Sequence, residues 1–497
     1  QIASTGTATY GALDTSILTG VSLTGTAFAL NGSVTTVASG PFTLVNSGVA
    51  TIAGDMSLTG AFNQSGGGAV TLSADITTTA DAIHFTNAVT LGGDSVLTSA
   101  GANITFDSTI DGANALTLAA GAGNVTLSGA VGSGARLGVF TVTSGAAVTA
   151  SAGITAASIV QTAATGTATY GALDTNAAAG ISLSGTAFAL NGSINTSNDG
   201  PFTLVNSGSA TFAAAADMTL TGAFDQSGGG SVTLSADIST TLDTIHFTDA
   251  VTLGDAATID SAGAHITFDS TIDGPSALTL VAGTGNVTLT GAIGSTTRLG
   301  VVTITSAANI TAGAITAASI EQTNATATAT YGALDTNAGE GVSLTGVSFA
   351  LNGAVTTTNN GTFTLVNSSS ATLAGAMTLA GAFDQSGGGS VTLSANITTT
   401  ADAVHFEDDV TVGGDAVITT EGGAITFDST IDGANALTLV AGAGDITLDG
   451  VVGSGARLGV FTITSGAAVT TDSITAASIV QTDATGAASY GALDTNA

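Results

Sequence analysis

Between residues 104 and 118 the chain reads ITFDSTIDGANALTL, and its first half alternates strictly. Ile104, Phe106, Ser108 and Ile110 fall on one side, while Thr105, Asp107, Thr109 and Asp111 fall on the other. Successive side chains of a strand point to opposite faces, so the apolar set turns inward and the acids turn to water. Comparable runs fill the chain, each short and each ending at Gly, Asn, Asp or Ser, which predicts short strands joined by tight turns. Helical spacing of apolar residues is absent.

The runs are periodic. VSLTGTAFALNGSVTTVASG (21–40), PFTLVNSGVATIAGDMSLTG (41–60) and AFNQSGGGAVTLSADITTTA (61–80) are successive pieces of about 20 residues, each with two or three strands. A period of about 20 without helices predicts an all-β fold, a parallel β-solenoid in which each coil pairs with the next. Helical repeats need about 33–47 residues, and propeller blades about 40–50.

A longer period encloses the short one. Tyr10, Tyr170, Tyr331 and Tyr490 occupy the same phrase (TATYGALDT in the first two), which returns about every 160 residues. The expected division is 1–160, 161–321 and 322–480 as three long repeats, with 481–497 opening a fourth, all in one continuous solenoid. Each long repeat is expected to hold about eight coils. In the first, Phe28, Phe42, Phe62, Phe85, Phe106 and Phe140 are expected to stack as an internal spine, whose burial at roughly 25 cal/mol per Å² would be the main stabiliser.

Composition supports a turn-rich β protein: 497 residues with 69 Gly, 3 Pro, no Cys, no Trp and 44% hydrophobic residues. That hydrophobic content argues against intrinsic disorder. The charge changes the picture more. Thirty-five acids face three bases, a formal charge of −32 that repels nucleic-acid phosphates. Without cysteine there is no disulfide framework, so packing and backbone pairing must hold the fold. No run of about twenty predominantly apolar residues predicts membrane insertion. A start at Gln1 without Met reads as a mature or excised segment, and the phase match of Gln1 with Gln161 and Gln481 implies continuation by further repeats or end-to-end stacking of subunits.

The candidate chemistry is sparse. Asp107 and Asp111 lie about 13 Å apart along one strand, too far to share a calcium ion or act as a glycosidase pair. Acids on adjacent coils come closer, at about 4.8 Å, which leaves room for weak calcium binding between coils; no other cofactor is expected. His84, His246 and His405, each flanked by an apolar residue and Phe, should face outward with no local acid pair. Every positive charge sits in GARLGVFT, TTRLGVVT or GARLGVFT. With an aspartate about one coil upstream of each, the expected pairs are Arg136–Asp111, Arg298–Asp273 and Arg457–Asp432. QSGGG lacks the GK[ST] of a phosphate loop. No catalytic or metal site is expected.

ITFDSTIDGANALTLVAGAGDITLDGVVGSGARLGVFTIT (425–464) resembles the repeats of filamentous-haemagglutinin-like adhesins and of the giant β-strand-repeat surface proteins of bacteria. The phrases LTL-x-AG-x-G-(N/D)-(V/I)-TL and RLG-V-x-T-(I/V)-TS carry the likeness through all three copies. The resemblance implies a β-helical shaft exported to the cell exterior, and it supplies no catalytic motif. The expected function is therefore a non-catalytic structural shaft of an extracellular fibre, filament or giant surface adhesin. Its partners would be copies of itself end to end, or further repeats, and cell-surface glycans. The alternatives are a carbohydrate-binding or polysaccharide-acting β-helix, or an ice- or calcium-binding surface repeat.

Overall fold

The computed structural model describes residue 1 and residues 4–495. Among them lie sixty-four β-strands and no helix. Two compact units divide the chain, Gln1–Ala250 and Val251–Ala497. Each is a parallel β-solenoid; turns follow one another about 21 residues apart, and the chain makes about 23 of them.

Most strands are three to five residues long and alternate buried with half-buried or exposed positions, as in Ile104–Phe106 and Phe42–Asn46. In the first unit these strands stack into three ladders. One passes from Val21 through Phe42, Phe62, Ile83 and Ile104. A second passes from Ala8 through Phe28, Ala50, Val70 and Val89. A third passes from Leu13 through Val34, Met56 and Ile76. Each turn thus contributes three strands, and its backbone groups pair with the turns before and after it. The second unit is built alike, and its turns vary in length: the turn from Val302 to Ile320 is shorter than the one from Leu278 to Val302.

A long repeat does not fill a whole number of turns. From Ala8 to its counterpart Ala168 the chain advances twenty-three ladder positions, counting the isolated bridge at Val131 and counting Val21–Leu30 and Ile154–Gln161 twice because each spans two ladders. Ile266 to Ile425, within the second unit, gives the same count with the bridge at Ile293 and with Ile315–Gln322 on two ladders. At three positions per turn each copy makes seven and two-thirds turns, in line with the expected eight or so but not a whole number, so equivalent residues of successive copies land on different ladders. Phe42 leads by way of Val125 and Val148 to Ala168 and Phe188. Its counterpart Phe202 instead stacks on Ile181, Ile159, Phe140 and Leu116.

This rotation modifies the expected spine. All six phenylalanines of the first copy are at most 1% exposed. Only four form one column, with ring centroids 5.7 Å (Phe42–Phe62), 4.8 Å (Phe62–Phe85) and 4.9 Å (Phe85–Phe106) apart. Phe28 and Phe140 line the other two ladders. The column recurs as Phe202–Phe224–Phe247 and as Phe363–Phe383–Phe406–Phe427. Full burial of each ring is worth about 1.5–3 kcal/mol, and ring contacts add about 0.5–1.5 kcal/mol.

QSGGG has a steric explanation. Gly66 holds φ at 108°, and a Cβ on Gly68 would lie 1.9 Å from the Gly48 carbonyl oxygen of the previous turn. The glycines let one corner settle directly on the backbone beneath it.

Candidate functional site

Most polar residues that recur in every copy bind each turn to its neighbours. The arginines show it most fully. Arg136 ends a loop whose preceding amides, Gly134 and Ala135, donate to Asp111 Oδ1 at 2.7 and 3.0 Å. Its Nη1 donates to the carbonyl oxygens of Ala156 (2.8 Å) and Asp174 (3.0 Å), and Nη2 donates to Asp174 Oδ1 at 2.9 Å. Ala156 is one turn further on and Asp174 two, so a single guanidinium ties three turns together. Arg298 repeats this with Ala317 and Asp335, and Arg457 with Ala476 and Asp494.

The expected partners are therefore corrected. Asp111, Asp273 and Asp432 do not carry the ion pairs; each accepts two backbone amides from the loop before its arginine. That grip aims the guanidinium the other way along the stack. The two turns beyond Arg136 are short, with Leu137 paired to Ala156 and Ala156 to Thr175, which brings Asp174 within reach. The side chain of Arg136 is 29% exposed and that of Asp174 47%, so the ion pair itself contributes about 0–1 kcal/mol. The bonds to the carbonyls contribute more, because a charged donor is stronger than a neutral one.

Buried amides form a second set of ties. Gln64 Nε2 donates to Asn46 Oδ1 at 2.7 Å, and Asn46 Nδ2 donates to the Gly48 carbonyl at 2.6 Å. Gln226–Asn206 and Gln385–Asn367 repeat the pair at 2.8 and 2.9 Å. In these later copies Asp249 and Asp408 replace Asn87, and each accepts the glutamine Nε2 at 2.8 Å. Buried tyrosines act within a turn, joining successive strands: Tyr170 donates to Gln161 Oε1 at 2.6 Å and Tyr331 to Gln322 Oε1 at 2.5 Å. Burial pushes both phenols well above their ordinary range.

Acids read from the sequence as solvent-facing serve as caps as well. Asp55 Oδ1 accepts the amide of Asp75 at 3.0 Å, Asp75 that of Val96 at 2.8 Å, and Asp94 that of Ala115 at 2.8 Å. Each satisfies a donor on the following turn that would otherwise turn to solvent. Asp409 accepts from the Ser429 and Thr430 hydroxyls at 2.5 and 2.7 Å, chiefly the former, and these bonds hold its carboxyl below the ordinary carboxylate range.

The histidines are at the surface as expected, but each has acids that were not. His405 Nδ1 lies 2.8 Å from Asp384 Oδ1 and its Nε2 lies 3.0 Å from Asp428 Oδ2, one acid on each adjacent turn. Partial burial pushes the imidazole down, but hydrogen bonds and charge from Asp428 and Asp384 outweigh it and raise the proton affinity. His246 lies 3.1 Å from Asp225, and His84 lies 2.7 Å from Asp107.

Among the described residues no group of three or more His, Cys, Asp or Glu is placed to hold a metal ion, and no helix is long and apolar enough to cross a membrane. A groove of about 440 Å³ in the second unit is lined by Val301, Ile320, Ala338, Glu321 and Glu340; the first unit has Val160 and Ala179 where these glutamates stand. Fold and site together define a parallel β-solenoid whose recurring polar side chains link its turns. Comparisons with protein-family profiles, with curated proteins and with solved structures each return no match.

Proposed function

We propose that the chain is a non-catalytic shaft segment of an extracellular fibre, filament or giant surface adhesin. The observation that carries this reading is the use of its recurring polar residues. The three arginines, the Asn–Gln pairs and the capping aspartates all make contacts from one turn to another. A chain selected to resist being pulled apart gains from such ties, since a solenoid's stability is approximately a sum of nearest-neighbour terms. The likeness of its repeat phrases to bacterial surface repeats supports an exterior location, and three arginines with no lysine leave trypsin-like proteases few cutting sites. Further repeats or stacked copies are the natural partners of such a shaft, and cell-surface glycans are candidate targets.

The test is immunogold electron microscopy of the source cells with antibodies raised against this chain. Label on filaments outside the cell is expected. Label confined to the cytosol would overturn the reading.

A further inference from the structure

The acids of this chain are numerous but unevenly placed. In the second unit six consecutive turns of one ladder present Thr288, Thr311, Thr330, Ala350, Thr372 and Thr392 at their outward centre. The outward positions two residues before and after each are Asn, Thr, Ser, Gly or Ala, so eighteen positions on six turns carry no charge. Asp269 and Asp409, on the flanking turns, bound the strip. The first unit has its own uncharged strip at the equivalent positions, whose centre runs from Thr126 to Thr233.

We propose that this uncharged threonine strip is a lateral docking face for a second copy of the chain. The argument is electrostatic and geometric. Two bodies of formal charge −32 repel wherever their acids meet, and an uncharged strip is where they approach at least cost. A central row of threonines, interrupted once by Ala350 and spaced at about 4.8 Å on parallel in-register strands, with small flanking side chains, is the kind of surface that interdigitates with its own copy. Size sets the strength. Five residues across and six turns along give roughly 13 by 25 Å, on the order of 300–400 Å² per strip, below the ~800 Å² per partner of a standard stable interface. One strip therefore supports a weak, transient contact. The inference concerns the outer surface and holds whether or not the chain is a shaft.

Sedimentation velocity on the whole chain tests it, from tens of micromolar to about a millimolar. Association should strengthen several-fold between about 20 and 500 mM NaCl, because screening removes the repulsion. A variant carrying Thr126→Asp, Thr169→Asp, Thr288→Asp and Thr330→Asp should stay monomeric throughout, with its circular dichroism unchanged. A gentler pair of variants guards against misfolding. Since the chain has no cysteine, Thr330→Cys should form crosslinked dimers with a short bis-maleimide at high concentration. Thr378→Cys, at an exposed outward position on another ladder, should not. A wild-type chain that is monomeric in high salt at every concentration, or equal crosslinking at the two cysteines, would overturn the proposal.

Discussion

Replacing Arg136 by alanine removes three hydrogen bonds at once: those to the carbonyls of Ala156 and Asp174, and the ion pair to the Asp174 carboxylate. The ion pair is nearly half exposed on its acid side and is worth about 0–1 kcal/mol. The carbonyls lose a charged donor, and Ala156 is fully buried, so its oxygen is hard to rehydrate. A net loss of about 2 kcal/mol is expected from the two carbonyl bonds and the discounted ion pair together. In a solenoid the loss is local, because each turn contacts only its neighbours. Amide hydrogen exchange read by mass spectrometry is the assay. Peptides covering 137–175 should exchange about 30-fold faster in Arg136→Ala, while peptides several turns away stay unchanged. Asp174→Asn separates the terms, since it keeps the backbone carbonyl and removes only the carboxylate, and should cost no more than about 1 kcal/mol. Unchanged exchange at 137–175, or an equal effect from the two variants, would refute the assignment of the carbonyl bonds as the main tie.

Three other outcomes follow from single positions. Ala38 and Ser39 hold φ at 56° and 59°, where the later copies have Asn198-Asp199 and Asn359-Asn360; Ala38→Gly should stabilise the chain by about 1 kcal/mol in a thermal melt, and Asn359→Ala should destabilise it. Gly68→Ala should be severely destabilising because of the 1.9 Å approach to Gly48, whereas Gly67→Ala meets no atom within 4 Å and should cost only the strain of its 89° φ, about 1–2 kcal/mol. His405 has a raised proton affinity, so its contribution is full below its ordinary value of 6.5 and is lost as pH rises through the folded value. Exchange near residues 384–428 should accordingly be slower at pH 5.5 than at pH 8 after correction for intrinsic rates, and His405→Gln should abolish that difference.

The solenoid was legible because both of its periods are written in the letters. Alternation places Ile104, Phe106 and Ile110 inside, where all three are at most 1% exposed, and the spacing of QSGGG marks the long copy. The partners were less legible, since they depend on turn lengths that vary within one unit, as between Val302–Ile320 and the longer Leu278–Val302. Asp174 lies 38 residues from Arg136, and Asp335 and Asp494 each lie 37 from their arginines; only the short turns after each RLG phrase make that two rungs. A signal was nevertheless present: RLG and YGALDT keep a nearly constant separation in all copies. The acids beside His405 were missed for a related reason. They lie 21 residues before it and 23 after it, invisible to a search for neighbours along the strand. The rotation of each copy by one ladder needed the count of twenty-three ladder positions, which strand alternation alone does not supply.

Single-molecule force spectroscopy, pulling the chain from its two ends, tests most directly whether its turns are tied one to the next as a stack that carries tension. Each turn of about 21 residues would release roughly 70 Å of contour length. The account predicts stepwise lengthening in multiples of that value, with Arg136→Ala lowering the force of steps near the altered turns alone. Release of each unit in one event, at a force indifferent to the arginines, would contradict it.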